Sequence, residues 1–580
     1  MTRADWLRQA LDIPLPKHPA LALDSCRRLM GANLYSDQAG AVGEATVTDF
    51  SADRVAELWA QHVTRLLQAM VWRRVNLSIR TNAGGVNLFL PAPVDRLFTV
   101  AYVIEVAWYF CASDLLGRPT TEVSAMVADL NNIMSREANP ELCATLSEAK
   151  VHGIDYMLDD ETVTLGHGTG SVTLNAEDLP LRPEWSALHD IPLALVTGTN
   201  GKTTTTRLIA AMGQAAGLVS GLSSTEFVKV GDVVLDRGDY SGPAGARLLL
   251  TDKRLQLGVL EVARGGILRR GLPVRHARVA VVTNVAADHL GQYGIHTVQD
   301  LAEVKLSVHR ALIPGGALVL NADDPLVVAA APPGSRVQWF SLSSDNPKIL
   351  AAQASGDTCG WYDGASLCLF DKGQILRLIE AKDVPLTLGG AARFNIENAL
   401  AAALAARALG LSHDAIRDVL ARFKSDAIDN PGRANEFSIN GARVFVDFAH
   451  NPHSIAAITA ALSEIPAKRR LMMLSHAGDR SNSDIIDLVS GAFALRPDTV
   501  VIAENPNYLR GRDLGELPRL MEQRCLELGL PADQILLAAN PGAAAALVLD
   551  RVQPGDLALI LVHDDREDIF AMLRERGEMA

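Results

Sequence analysis

The sequence predicts an α/β protein in which two parallel-sheet domains follow an α+β N-terminal domain. Three observations carry this reading. At 580 residues the chain exceeds one ordinary domain. From Ile191 onward, short apolar runs alternate with helix-length amphipathic segments, the pattern of a parallel sheet covered on both faces. That alternation stops after Pro332 and resumes beyond the cluster Asn430, Pro431, Gly432, which reads as a linker. The expected divisions are residues 1–186, 187–430 and 431–580.

The N-terminal part shows short apolar runs, hairpin-like glycines and a mixed helix from Leu97. Its most apolar stretch, 99–116, carries Glu105 and reaches Asp114, so a buried helix fits better than a membrane span. Trp108, Tyr109 and Phe110 in succession offer more apolar surface than one helix buries under its own domain, and at least a dimer is expected. Residues 191–196 read as a buried strand. A Gly-rich turn follows, then a helix from about Thr203 with Leu208, Ile209 and Met212 on one face. Strands are expected at 257–262, 278–283 and 317–320, a β meander up to about Gly390, and an Ala- and Leu-rich helix at 395–409. Strands at 444–448, 470–474, 499–503, 535–538 and 557–561 make the last domain doubly wound. No internal repeat or low-complexity tract is visible.

A net charge of -13 and a pI near 5.6 argue against a nucleic-acid or anionic-membrane surface and favour a small-molecule or polymer substrate. The six cysteines have no zinc or redox spacing and read as free thiols. The residues from Met1 to Asp5 lack a secretory pattern, so a cytoplasmic protein is expected.

The strongest chemical signal is Gly198, Thr199, Asn200, Gly201, Lys202, Thr203 and Thr204, between a predicted strand and a predicted helix. Glycines there let backbone N–H groups face phosphates at a helix N-terminus; Lys202 offers a point charge, and the Thr203 hydroxyl can hold Mg²⁺. Only two residues separate Gly198 from Gly201, unlike the usual GxxxxGK[ST]. This form resembles the phosphate loop of Mur ligases and folylpolyglutamate synthetases.

The resemblance implies further roles. Glu261 matches the family's Mg²⁺ carboxylate, and Asn284, Asp288 and His289 match its Thr-Asn-x-x-x-Asp-His. Taken alone, His289 reads more often as a capping or packed histidine, and only its motif neighbours reverse that reading. Lys305 falls where many Mur ligases carry a carbamylated lysine that helps hold a second metal; a solvated helix lysine is the alternative. Asn395 and Asn398 resemble an adenine-contacting Asn-x-x-Asn, or are an N-cap and a surface amide. Arg433 in Pro-Gly-Arg and Asp447 in Asp-Phe-Ala-His-Asn-Pro resemble residues by which the last domain closes on phosphate and ribose. The implied architecture is that of a Mur ligase: a central P-loop ATPase domain and a C-terminal Rossmann-like domain, using ATP and Mg²⁺. The implied reaction joins a carboxylate to an amine through an acyl phosphate, with Asp288, His289 or His450 as candidate proton acceptors.

Within the superfamily the chain is most similar to cyanophycin synthetases. Glu261-Val-Ala-Arg-Gly-Gly-Ile-Leu-Arg-Arg-Gly271, Gly238-Asp-Tyr-Ser-Gly-Pro243, Gly478-Asp-Arg480 and Leu509-Arg-Gly-Arg512 match that family, as do Arg27-Arg-Leu-Met-Gly-Ala-Asn33, Ala92-Pro-Val-Asp95 and Glu105-Val-Ala-Trp108. That family implies arginine as the amine, an aspartate-type peptide or polymer as the acceptor, and an oligomer. Its ATP-grasp domain, which extends the backbone, has no counterpart between 170 and 198. Ser223, Ser224, Thr225, Ser241 and the region 479–512 are the expected substrate contacts. A non-catalytic polymer-binding or synthetase-partner protein and a folylpolyglutamate-type ligase are the alternatives.

Overall fold

A computed structural model describes residues 3–72, 75–176, 183–426, 429–478, 480–563 and 565–579. The chain divides into two compact units, residues 1–339 with 401–412 and residues 340–400 with 413–580. The division runs through the strand Val337–Ser341 and the helix Arg393–Ala408.

The first unit opens with an antiparallel sheet of β1 (Leu21–Leu29), β2 (Gly40–Val47), β3 (Ser78–Asn82) and β4 (Gly85–Pro91), ordered β1-β2-β4-β3. Two helices share its core: α1 (Ala52–Ala69) and α2 (Leu97–Leu116). Ser51 caps α1 by accepting from the Arg54 N–H at 3.3 Å, and Val55, Trp59, Val63 and Leu66 repeat at helical spacing on its buried side. The Trp59 indole donates to the Ile104 carbonyl at 3.3 Å, joining the two helices.

Helix α2 corrects one expectation. Trp108, Tyr109 and Phe110 are 0%, 5% and 3% exposed, all covered within their own chain. A helix apolar on every side belongs inside a core, so the apolar face invoked for a dimer does not exist. This is also the one helix of membrane-spanning length and composition among the described residues, and 72% of its most apolar window is buried in the fold.

A small antiparallel sheet follows: β5 (Tyr156–Leu158), β6 (Thr162–Leu165) and β7 (Val172–Asn175). The main sheet then adds β8 (Leu193–Thr197), β9 (Ser220–Ser223), β10 (Phe227–Val230), β11 (Val233–Arg237), β12 (Leu257–Glu261), β13 (Ala277–Val282) and β14 (Leu312–Asn321). Their order is β11-β10-β9-β12-β8-β13-β14, parallel from β9 to β14. Val196 lies opposite Glu261 on one side and Val281 on the other, so the C-terminal ends of β12, β8 and β13 are level. Loops leaving those ends emerge together, where parallel sheets place ligands.

Around this sheet lie helices α3 (Lys202–Ala215), α4 (Pro243–Leu250), α5 (Arg264–Arg270) and α6 (Val298–Leu306). The N-terminal part is bonded to this region by main chain. Met30 N–H donates to the Arg270 carbonyl at 2.8 Å, and Leu272 N–H donates to the Ala32 carbonyl at 2.7 Å.

In the second unit β15 (Val337–Ser341) pairs parallel with β16 (Cys359–Tyr362), which begins an antiparallel ribbon with β17 (Ser366–Asp371) and β18 (Gln374–Glu380). The expected meander also contains a helix, Pro347–Ser355, which the pattern reading missed. Its signal was Asn346 before Pro347: the Asn346 side chain accepts from the Lys348 N–H at 2.9 Å, an N-cap with proline at the first helical turn. A last sheet contains β19 (Asn435–Ile439), antiparallel to its neighbour β20, and the parallel strands β20 (Ala442–Asp447), β21 (Arg470–Leu474), β22 (Thr499–Ala503), β23 (Ile535–Ala538) and β24 (Leu557–Leu561), in the order β23-β22-β21-β24-β20-β19.

Asp155, at the foot of the small sheet, ties it to β13. Its carboxylate is fully buried and accepts from the Arg275 and His276 N–H groups at 2.7 and 3.2 Å, with His167 Nε2 at 3.5 Å. Burial raises its pKa, but His167 and Arg275 outweigh that and hold it below the ordinary aspartate range. A carboxyl with a depressed folded pKa stabilises the fold above its unfolded pKa and loses that contribution as pH falls through the folded one. Asp155→Ala should therefore lower the unfolding free energy by about 3 kcal/mol at neutral pH. In urea melts at stepped pH, its difference from wild type should shrink only in the acid range below the ordinary aspartate pKa. A difference that is small at neutral pH and unchanged by acid would contradict this anchor.

Candidate active site

The loop between β8 and α3 is built by its carbonyls. Gly198 has φ +146° and lies against β13: a Cβ there would sit 1.9 Å from Thr283 Oγ1, so only glycine fits. The Gly198 carbonyl accepts from Lys305 Nζ at 2.8 Å, the Thr199 carbonyl from Lys202 Nζ at 2.9 Å, and the Asn200 carbonyl from Thr283 Oγ1 at 2.6 Å and Asn284 Nδ2 at 3.2 Å. Asn284 returns the bond, accepting from the Asn200 N–H at 2.9 Å. With three successive carbonyls held by side chains, the loop leads into α3 through Gly201, at φ +84°, whose lack of a side chain leaves the helix start without a cap from the N-cap residue. An uncapped helix N-terminus behind a glycine loop presents N–H donors and a partial positive charge, a ready anion seat.

Thr203 and Thr204 lie in the first turn of α3, both buried. Thr203 Oγ1 donates to Glu261 Oε2 at 3.0 Å, joining this helix start to the end of β12. A hydroxyl and a carboxylate side by side are hard oxygen donors. They fit Mg²⁺, which takes one or two protein oxygens and fills its octahedron with water and phosphate. The wider metal set is not gathered: among the described residues no group of three or more His, Cys, Asp and Glu side chains could hold a metal. His289 stands at φ +51° with Nε2 3.9 Å from Asp288 Oδ1, and its carbonyl accepts from Arg264 Nη1 at 2.6 Å. Burial, then the neighbouring Lys202, pulls the Lys305 amine well below the ordinary lysine range, with Asp288 opposing.

The remaining expected residues belong to the second unit. Asn395 and Asn398 are 2% and 5% exposed, and the helix begins earlier, at Arg393; neither is an N-cap or a surface amide. Asn395 Nδ2 donates to the Leu386 carbonyl at 2.9 Å, and Asn398 Nδ2 donates to Asn395 Oδ1 at 3.0 Å. The Arg433 guanidinium lies 5.0 Å over the Phe448 ring. Asp447 accepts from the Ala434 N–H at 2.8 Å, and burial, partly offset by Arg433, pushes its carboxyl up to about 6. Asp479 lies outside the described residues.

Several participants escaped the sequence reading. Thr283 locks the glycine loop, and Arg264 orders the segment after β13 through His289 and Gln292. The His476 and His563 rings lie tilted with centroids 5.6 Å apart, beside Phe448 and His450, and burial followed by His476 pulls His563 down to about 3. The Thr and Arg were visible inside the quoted motifs. The two histidines are separated by 87 residues in sequence and meet only through parallel strand ends.

The sequence matches the Mur ligase middle domain over residues 196–406 and the Mur ligase glutamate ligase domain over residues 432–561. It is 38% identical over 375 residues to the cyanophycin synthetase of Synechocystis sp., covering 64% of this chain and 41% of that protein. Over 371 residues it is 38% identical to the cyanophycin synthetase of Crocosphaera subtropica, covering 64% and 42%. The chain thus spans about two fifths of the length of these relatives. The solved structure of E. coli FolC in complex with DHPP and ADP aligns with a TM-score of 0.51 at 21% identity, over 66% of this chain and 89% of that one, a likeness of fold.

The Gly198 contact can be separated from the general cost of positive φ. Gly231 also has positive φ, +55°, but nothing lies within 4 Å of where its Cβ would be. Gly231→Ala should cost about 1 kcal/mol of stability, and Gly198→Ala about 3 kcal/mol or more, because the Thr283 hydroxyl must leave its bond to the Asn200 carbonyl. Equal thermal midpoints for the two variants would overturn the close-packing account.

Proposed function

Because this chain belongs to the Mur ligase superfamily, we propose that it is an ATP-dependent ligase that activates a carboxylate as an acyl phosphate and joins it to an amine. The observation that carries this reading is the convergence of the glycine loop, the uncapped start of α3 and the Thr203–Glu261 pair at one sheet edge. On this reading the loop from Gly198 to Thr204 is the P-loop of a central ATPase domain, and the last sheet is the Rossmann-like C-terminal domain. The division into residues 1–186, 187–430 and 431–580 belongs to the same proposal.

A carboxylate oxygen of the acceptor attacks the γ-phosphorus, forming an acyl phosphate and releasing ADP. The amine nitrogen then attacks the acyl carbon, loses a proton to a protein base, and inorganic phosphate leaves with the carboxylate oxygen. Lys202 is assigned to charge on the transferring group. In the structure its Nζ donates to the Thr199 carbonyl of the same loop at 2.9 Å. Mg²⁺ at Thr203 and Glu261 would offset charge on the bridging phosphate oxygens. Lys305 holds the loop through Gly198, and burial disfavours the charged form of its amine, the direction that carbamylation requires. Asp288 and His289 are the proposed bases on this unit. Asn395 and Asn398 are assigned to adenine, Asp447 to ribose, and Arg433 to the transferring phosphate.

The cyanophycin synthetase relatives support an aspartate-type side-chain carboxylate as acceptor and an amino acid such as arginine as amine. The test is ATP-dependent phosphate release across a panel of aspartyl peptides and amino acids. Turnover is expected with an aspartyl acceptor, and Lys202→Ala should lower it by roughly a hundredfold to a thousandfold without changing the thermal midpoint. Activity confined to glutamate-chained folates would favour the folylpolyglutamate reading. Absence of turnover on the whole panel would favour a binding protein.

A further inference from the structure

The sheet of the N-terminal part has two unlike faces. Ala41, Ala45, Val86, Leu88 and Leu90 turn to the core shared with α1 and α2. On the other face Ser25, Glu44, Asn87 and Arg80 lie opposite one another, one on each of β1, β2, β4 and β3, and so form a polar row across the whole sheet. The next row on that face runs from Arg27 through Val42 to Phe89. Polar side chains on a covered face cost stability unless each finds a partner. Here the partners lie in the segment that leaves β13 and in α6.

Asn87 is buried, and its whole amide is engaged. Nδ2 donates to the Tyr35 hydroxyl at 2.9 Å and to the Tyr293 carbonyl at 3.1 Å, and Oδ1 accepts from Asn82 Nδ2 at 2.8 Å. Gly294, at φ +70°, comes so close that a Cβ there would sit 2.0 Å from Asn87 Oδ1. Arg27 Nη1 donates to Glu44 at 2.7 Å and to the Ser25 hydroxyl, but its Nε and Nη2 are buried without a hydrogen-bond partner among the described residues. The guanidinium lies instead 4.6 Å over the Tyr293 ring, whose face attracts the charge. Arg80 completes the row by reaching Asp300 and Glu303 on α6.

The turn gripped in this way is tied to the proposed site by its own bonds. Gly291 N–H donates to the Ile295 carbonyl at 2.8 Å and Ile295 N–H to the Gln292 carbonyl at 3.2 Å, which closes the turn around Tyr293. Arg264 then bridges Gln292 Oε1 and the His289 carbonyl, at 2.8 and 2.6 Å. His289 and Tyr293 both have positive φ, +51° and +59°. A non-glycine residue keeps that conformation where its surroundings over-determine it, and such strain gathers at working sites.

We infer that Arg27 and Asn87 are positioning residues for the ligase reaction: by holding Tyr293 they set the turn 291–295, and through it Asp288 and His289. The inference rests on the ligase reading. Because Arg27 grips the face of the ring, the Tyr293 ring is required for this role and its hydroxyl is not.

Steady-state turnover of the full chain tests it, with the aspartyl peptide and amino acid that give the fastest phosphate release in the panel above. Tyr293→Leu and Arg27→Met should each lower kcat roughly tenfold to a hundredfold with KM for ATP within about twofold of wild type, because other bonds build the glycine loop. The double variant should lose no more than either single one, since the two side chains make one contact. Tyr293→Phe keeps a ring under the guanidinium and should retain kcat within about twofold. Hydrogen exchange should quicken at the amides of 288–296 in both single variants and stay unchanged in the glycine loop. Thermal midpoints equal to wild type certify folding, and Tyr293→Leu carries the test should Arg27→Met fail that check. Wild-type kcat in Tyr293→Leu, an equal loss in Tyr293→Phe, or a loss expressed in KM for ATP would overturn the positioning role and leave the ligase standing. A wild-type chain that turns over no acceptor would overturn the ligase reading itself, and the role assigned to Arg27 and Asn87 with it.

Discussion

Everything proposed at this sheet edge depends on the contact between Gly198 and Thr283, where the end of β8 meets the end of β13 without room for a methyl group. That contact lets Thr283 reach the Asn200 carbonyl, and Asn284 and Lys305 secure the rest of the turn. Once the carbonyls are engaged, α3 begins behind Gly201, which has no side chain to cap its first N–H groups. An anion seat of this kind costs no reorganisation when the ligand arrives, which is the property electrostatic catalysis requires. The Thr203–Glu261 bond is secondary to it, because it forms only if α3 starts in register with the end of β12.

The N-terminal part contributes more than bulk. Its main chain pairs with both Arg270 and Leu272, and Arg80 reaches Asp300 and Glu303 at 3.2 and 2.5 Å on α6. Asn87 Nδ2 donates to the Tyr293 carbonyl at 3.1 Å, while the Arg27 guanidinium lies 4.6 Å over the Tyr293 ring. These bonds fix the segments that follow β12 and β13, which carry Arg264, Asp288 and His289. An altered N-terminal part would therefore act on the proposed site through the positions of these segments.

Much of the fold was legible because buried parallel strands must be apolar throughout: β21, β22 and β24 fall where the apolar runs are. The glycine loop was legible because few backbones need glycine, lysine and threonine in that order between a strand and a helix. The helix Pro347–Ser355 was lost among turn residues, although Asn346 and Pro347 marked its start. Trp108 was misread as surface because a one-dimensional pattern does not show that α2 is enclosed on all sides.

The central claim is that an acceptor oxygen passes through a bond to phosphorus, and oxygen tracing measures that directly. With the acceptor side-chain carboxylate labelled with ¹⁸O, the account predicts one labelled oxygen in each inorganic phosphate released and one retained in the new amide carbonyl. Unlabelled phosphate, formed at the same rate as product, would mean that water or another nucleophile takes the phosphoryl group, and the acyl-phosphate account would be wrong.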